Sequence, residues 1–403
     1  MHTWPYFDAQ QIEAVQDVLR SGEVNYWTGH QCRSFEHEFA QACGCKYGVA
    51  VVNGTLALEL ALRALGIGLG DEVVVTPRSF IASASCIAVC GGTPIFADVD
   101  RMSQNVTAET IEAVLSPRTK AIVAVHLAGW PCELEPISRL ARARGLKLIE
   151  DCAQAHGATY HGSPVGSFGD VAAFSFCQDK IITTGGEGGM LVTNDRAIWK
   201  RAWAYKDHGK DYDTVYGRTH PPGFRWLHES FGSNWRLTEM QAAIGRIQLG
   251  RLSRWIEWRR RNAVILTDCF RRLPALRITP PPAYIGHAYY KYYAFLRPER
   301  LKPGWNRDRI VSAIGAEGVP CFSGSCGEIY REKAFTRAGL GPVGPLPVAR
   351  ELGETSLMFL VHPTLTEDEM QQTCRAITAV LAQATAEDPL DTKAGAEAYA
   401  SVQ

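Results

Sequence analysis

The chain has no C-x-x-C pair, and its twelve cysteines are scattered along 403 residues. Cys43 and Cys45 stand too close together for a zinc knuckle, and Cys86, Cys90, Cys152 and Cys177 lie in apolar surroundings. The thiols therefore read as reduced and packed, with no metal set and no disulfide framework. A net charge is also missing. Forty-two Lys+Arg offset forty-two Asp+Glu, which leaves no electrostatic case for nucleic acid or an anionic membrane as partner. No uncharged apolar run reaches the roughly 18 residues of a transmembrane helix. The opening MHTWPYFDAQQ has neither the basic nor the apolar part of a signal peptide, so a cytoplasmic protein is expected. No internal repeat is visible.

What is present is an ordinary globular composition, 46% hydrophobic and 21% charged, on a chain too long for one core. A large domain with a smaller companion follows from that length. Residues 8–20 have helical spacing, with Ile12, Val15 and Leu19 on one face. Residues 34–42, SFEHEFAQA, read as a short helix capped by Ser34. The apolar run YGVAVV then enters Asn53-Gly54-Thr55, and LALELALRAL continues at helical period. A strand, a small-residue turn and a helix start form an anion site, because free amides and the helix dipole meet there and Thr55 adds a hydroxyl. The same three residues also serve a plain N-cap.

Strand and helix signals alternate from there: DEVVVTP, SFIASASCIAVCG, TPIFADVD, TAETIEAVLS, TKAIVAVHLAG, ELEPISRLARARG and LKLIEDCAQAHG. Continuous apolar strands in a βα rhythm imply a largely parallel, buried sheet. Ligands of such folds gather at the carboxyl ends of the strands. Asn53-Gly54-Thr55, His126, Asp151 and Lys180 all follow strands, so one crevice can hold them together. Asp151 ends its strand beside Glu150; it fits a helix cap as well as a carboxylate that keeps a heterocyclic nitrogen protonated. Lys180 is delivered by VAAFSF into the threonine- and glycine-rich loop IITTGGEGG. A lysine there is a solvated loop residue or, if desolvated, an amine nucleophile and Schiff-base partner.

The segment KDHGKDYDTVYGRTHPPGFRWLHESFG is long, polar and aromatic, the profile of a functional or subunit-crossing loop. A long helical stretch follows through SNWRLTEMQAAIGRIQLGRLSRWIEWRRRNAVILTDCFRRL, with Ser233 or Thr238 as its cap. The proline cluster ITPPPAYIG opens a smaller α+β part that ends in the helix EDEMQQTCRAITAVLAQAT. The expected division is a large α/β domain over 1–250, a small domain over 251–386 and a frayed tail over 387–403. His126, His156 and His208 read as packed or as crevice residues with equal ease; Lys291 and the arginines of the long loop could meet a nucleotide diphosphate, with surface solvation as the default reading.

Three segments in this order, EDCAQAHGATYHGSPVGSFGDVAAFSF, SFCQDKIITTGGEGG and GSNWRLTEMQAAIGRIQL, resemble the DegT/DnrJ/EryC1/StrS aminotransferases, and the resemblance spans nearly the whole chain. It implies an α/β fold of the pyridoxal-phosphate fold type I: a large domain with a mostly parallel seven-stranded sheet flanked by helices, plus the smaller C-terminal domain. It implies pyridoxal 5'-phosphate as cofactor. Lys180 is then similar to the lysine that holds the cofactor, and Asp151 to the aspartate paired with the ring nitrogen. Gln154 corresponds to a neighbour of the phenolic oxygen, and Phe80 to the aromatic that stacks on the ring. Gly54, Thr55 and Ser175 correspond to the phosphate site. Asn234 resembles an asparagine that reaches the neighbouring subunit's phosphate, which implies a homodimer with shared sites. The expected reaction moves an amino group from an amino acid, L-glutamate, to a nucleotide-linked keto-sugar, with His208 and Glu187 toward the substrate. A sugar dehydrase of the same family carries histidine in place of Lys180, and a silent cofactor-binding sensor or scaffold needs no proton shuttle. The loop TTGGEGG is one glycine longer than the family pattern, which bears on where Glu187 sits.

Overall fold

The computed structural model describes residues 1–219, 225–342 and 344–385. Short apolar runs bounded by turns make nine strands in the first half of the chain. These are β1 (Tyr47–Val51), β2 (Glu72–Val75), β3 (Thr93–Phe96), β4 (Thr119–Val125), β5 (Lys147–Asp151), β6 (Thr159–Tyr160), β7 (Ser163–Pro164), β8 (Val171–Ser175) and β9 (Gly189–Thr193). Seven of them form one sheet in the order β1-β9-β8-β5-β4-β2-β3. The pairs from β8 through β5, β4 and β2 to β3 are parallel, and β9 alone is reversed against both its neighbours. Val73, Val74, Val75, Ile122 and Val123 are all fully buried, as a sheet covered by helices on both faces requires. Each such side chain contributes about 1.5–3 kcal/mol by its burial. The mostly parallel seven-stranded sheet expected from the sequence is present.

Helix α1 (Ala9–Ser21) opens with a reciprocal cap between Asp8 and Gln11 and ends at Gly22, whose φ of 73° suits a residue without Cβ. Its expected apolar face is not inward: Ile12 and Leu19 are exposed, and Gln11 and Val18 are the buried residues. Helix α2 (Gln31–Ala42) starts earlier than expected, and Ser34 lies inside it. Its first amides, those of Gln31 and Cys32, donate to the carboxylate of Glu239. A distant acid thus does the work assigned to a local serine. Helix α3 (Gly54–Ala64) is capped by Asn53, whose side chain accepts from the Leu56 amide at 2.9 Å.

The rest of the chain adds β10 (Leu276–Arg277), β11 (Ile285–Gly286), β12 (Tyr292–Leu296), β13 (Cys321–Phe322) and β14 (Ser356–Phe359). Four of these form the sheet β10-β12-β14-β13, while β11 joins β6 and β7. The helix Glu239–Phe270 links the two parts. It begins with a reciprocal cap between Thr238 and Gln241, so Thr238 and not Ser233 is the cap. Its early turns press on α2, where Gly245 leaves no room for a Cβ beside the Phe35 ring. Ala263, Leu266 and Phe270 belong to a second core with Leu357, Phe359 and Ile377. Ile329, Phe335 and Leu352 pack into the first core. The segment read as one long loop after residue 206 contains a short helix, Tyr212–Gly217. The tail over 387–403 lies outside the described residues, and among those described no helix is long and apolar enough to cross a membrane.

Candidate active site

Strands β1, β5 and β8 deliver their carboxyl ends to one edge. Val51 and Ser175 both lie in register with Gly189 of β9, which holds the two strand ends level. A cavity of about 1000 Å3 opens above this edge. Gly54, Thr55, Phe80, Asp151, Gln154, Ser175, Lys180 and Glu187 all line it, so eight of the sequence-derived candidates converge from separate segments.

One end of the cavity is the start of α3. The first amides of a helix have no partner within it, and here they stand beside the hydroxyls of Thr55 and Ser175. The approach is tight. A Cβ on Gly54 would sit 2.5 Å from the Ser175 Cβ, and one on Gly189 would sit 2.2 Å from the Asn53 carbonyl oxygen. Only glycine lets backbone come this close to a bound group, and amides at a positive dipole end suit a phosphate dianion.

Asp151 lines the same cavity and is almost fully buried. Its Oδ2 accepts from the Ser83 hydroxyl at 2.7 Å and its Oδ1 from the Ala153 amide at 3.1 Å. Burial pushes its carboxyl above the usual range, against the pull of these two hydrogen bonds and of the positive field of Lys180. A desolvated carboxylate of this kind is satisfied by a cationic ring nitrogen. Behind it, Glu150 is completely buried. It accepts from His126 Nε2 at 3.0 Å and from the amides of Gly166, Phe168 and Gly169. Burial alone would raise Glu150, but these donors hold it below its ordinary value. Since His126 Nδ1 accepts from the Cys132 amide, its proton is on Nε2. His126 is thus part of the packed support behind Asp151, although it, Glu150 and Cys152 lie within 4.8 Å of one another.

Gln154 uses its Oε1 to accept from the Ala128 amide at 2.7 Å, so its two N–H donors are what it has to offer the cavity. Phe80 is 66% exposed on the wall, a large ring with no covering of its own. Lys180 is mostly buried, and its Nζ lies 3.4 Å from the Tyr290 hydroxyl and 3.5 Å from Asp179. Its main-chain oxygen accepts from the indole Nε1 of Trp4 at 2.8 Å. Trp4 in turn packs on Trp255 and His362.

The longer glycine loop is accommodated without moving Glu187 off the wall. Gly185 and Gly186 take φ of 90° and 133°, conformations open chiefly to glycine. The Gln241 amide and the Thr184 hydroxyl donate to the Glu187 carbonyl oxygen. His208 is exposed and does not line the cavity, and neither does Asn234, which is also exposed. His156 is buried against Phe39, Phe174 and Phe176, away from the wall. Lys291 departs from its expected solvated place: it lines the cavity, and burial pushes it down to about 8. Sequence reasoning also missed Ser83, Tyr290 and Asp179. Ser83 sits in a helix of small residues and Tyr290 in the YYKYY run, with nothing local to single them out.

These residues fit pyridoxal phosphate: an anion site at a helix start, a desolvated carboxylate, an amine and an aromatic ring all line one cavity. Comparison with known proteins agrees. The chain matches the DegT/DnrJ/EryC1/StrS aminotransferase family over residues 5–378. It is similar to a GDP-perosamine synthase of Escherichia coli O157:H7, 41% identical over 373 residues, 93% of this chain and 96% of that protein. It is also similar to a GDP-perosamine synthase of Caulobacter vibrioides, 37% identical over 380 residues, 94% of this chain and 97% of that protein. An aminotransferase structure from Psychrobacter cryohalolentis is 56% identical with a TM-score of 0.93, covering 95% of this chain and 99% of that one.

Proposed function

This chain belongs to the DegT/DnrJ/EryC1/StrS aminotransferase family, uses pyridoxal phosphate as its cofactor, and, we propose, transfers an amino group from L-glutamate to a nucleotide-linked keto-sugar. The observation that supports the chemistry is the convergence of Lys180, Asp151 and the Gly54-Thr55 helix start on one cavity. When bound, the cofactor supplies an electron-accepting ring that lets the Cα–H bond of an amino acid ionise. The chain does the rest. The amides of α3 with Thr55 and Ser175 would hold the phosphate, and Phe80 would pack on the ring. Asp151 keeps a proton on the ring nitrogen, and the amine of Lys180 takes and returns the substrate proton as general base and acid. The keto-sugar reading draws on the two relatives named GDP-perosamine synthase, and on a cavity at the upper end of the usual ligand-pocket range.

The active site is completed by a second copy in this reading. Asn234 lies outside its own chain's cavity, in a segment where Phe231 is fully exposed and Trp226 84% exposed. Exposed rings in that segment are compatible with an interface, at which Asn234 would reach the partner's phosphate. The test is a panel of nucleotide keto-sugars, GDP-linked ones first, incubated with L-glutamate and read by the mass of the product. No aminated product from any member refutes the sugar reading. Glutamine replacing glutamate as the only working donor corrects the donor.

A further inference from the structure

We propose that Asp179, clamped by Tyr290, is the fixed counter-charge for the nitrogen of Lys180 and sets when that nitrogen carries a proton. This rests on Lys180 being the cofactor-holding lysine. The three groups close a triangle. Lys180 Nζ lies 3.5 Å from Asp179 Oδ1 and 3.4 Å from the Tyr290 hydroxyl, whose own hydrogen goes to Asp179 Oδ2. The turn that makes this possible is closed by the Lys180 amide donating to the Cys177 carbonyl at 3.0 Å. Tyr290 comes from a different part of the chain and is held from behind. Its amide donates to the Ala128 carbonyl, and its own carbonyl accepts from buried Arg259 at 3.1 Å. It is therefore a rigid post against which a loop carboxylate is oriented, and it acts on Lys180 both directly and through Asp179.

The charges around the amine make Asp179 the decisive one. Burial would raise the Asp179 carboxyl, but Lys180, the Tyr290 hydroxyl and Lys291 hold it below its ordinary value. It is a standing negative charge throughout the neutral range. Tyr290 is pushed far up, first by burial and then by Asp179, so it stays a neutral donor. From the other elements, Lys291 brings a cation 4.8 Å from the same Tyr290 ring that Lys180 Nζ meets at 5.0 Å. Arg259 adds a second cation from the long helix, and His156 is held neutral. Asp151 and Glu187 also face the cavity. Asp151 accepts from Ser83 and would face the ring nitrogen, and Glu187 approaches Cys177. Remove the charge of Asp179 and the groups nearest the Lys180 nitrogen are a neutral phenol and a cation. A proton there is then disfavoured.

The test is spectroscopic. The visible band of the cofactor-loaded protein is titrated with pH for wild type, Asp179→Asn and Tyr290→Phe, with thermal melting as a check on folding. Asp179→Asn lowers the pH midpoint of the band by about one unit, the usual effect of losing an opposite charge at this range. Tyr290→Phe lowers it by less, because Asp179 loses its clamp and keeps its charge. Asp179 is half-exposed, so the wild-type midpoint also falls as salt is added, and in Asp179→Asn, where cations alone remain beside the nitrogen, that fall is lost. A folded Asp179→Asn protein with a borohydride-sensitive band and an unmoved midpoint overturns the inference alone. A wild type with no such band refutes the assignment of Lys180 instead.

Discussion

Replacing Gly54 by Ala probes a close approach in the candidate active site. The added Cβ would lie 2.5 Å from the Ser175 Cβ and 3.0 Å from its Cα, where carbon atoms at rest keep about 3.5–4.0 Å. Neither side yields easily. Ser175 is in register between β8 and β9 in the seven-stranded sheet, and Gly54 opens a helix in which Ala57, Leu58, Leu60, Ala61 and Leu62 are buried in the core. The helix start must therefore move by about 1 Å, at a cost of about 2 kcal/mol, within the usual range for overpacking. If that displacement falls on the phosphate amides, cofactor affinity drops by about 30-fold, since 1.4 kcal/mol is tenfold. The assay pairs cofactor dissociation, followed by absorbance, with the melting temperature of the cofactor-free protein. Gly250→Ala is the control. It makes the same chemical change inside a helix, with nothing within 4 Å of the new Cβ, and gains about 0.5–1 kcal/mol from helix propensity. A Gly54→Ala protein that melts and holds cofactor like wild type refutes the idea that this contact is rigid.

Lys180→Ala abolishes the borohydride-sensitive colour and the exchange of amino groups with donor; turnover at the wild-type rate excludes Lys180 as the cofactor lysine. Glu239→Gln removes a charge-assisted cap from α2 and costs about 1 kcal/mol in urea unfolding, whereas an unchanged midpoint places the cap of α2 elsewhere. His156, His287 and His362 are each pushed down to about 3, by burial above all. The unfolded chain then binds protons that the fold refuses, so stability is full above about pH 6.5 and falls as the pH drops toward 3; melts at neutral and mildly acid pH check the sign, and His156→Phe flattens the slope. Mixing Asn234→Ala with Lys180→Ala restores activity through hybrid dimers after subunit exchange, and mixtures that exchange yet stay dead argue against shared sites.

The sheet and the strand-end residues were legible because their signals are local. An apolar run before Asn53, Asp151 or Lys180 states where a strand ends, and strand ends converge in a parallel sheet. What escaped is non-local. The cap of α2 is Glu239, more than two hundred residues further along the chain, and no spacing rule near residue 31 announces it. Ser83 reaches Asp151 from a helix of nearly uniform small residues, where periodicity has nothing to distinguish. Lys291 looked solvated because lysine usually is, and its burial depends on Tyr290 and the long helix behind it. The expected inward face of α1 failed for a related reason. Period alone cannot say which side of a surface helix meets the core, and Ile12 and Leu19 turned out to be on the open side.

The bond from Trp4 to the Lys180 carbonyl has a consequence for the order of assembly. Trp4 meets Lys180, Trp255 and His362, three places that only the finished tertiary fold brings together. Contacts so far apart along the chain close late, since the loops between them must be ordered first. The segment around Trp4 is therefore among the last to find its seat, and the backbone carrying Lys180 stays loose until it does. An N-terminal fusion that obstructs this docking yields protein whose sheet is complete but whose Lys180 is poorly held, a defect visible as slow cofactor capture in an otherwise well-folded preparation.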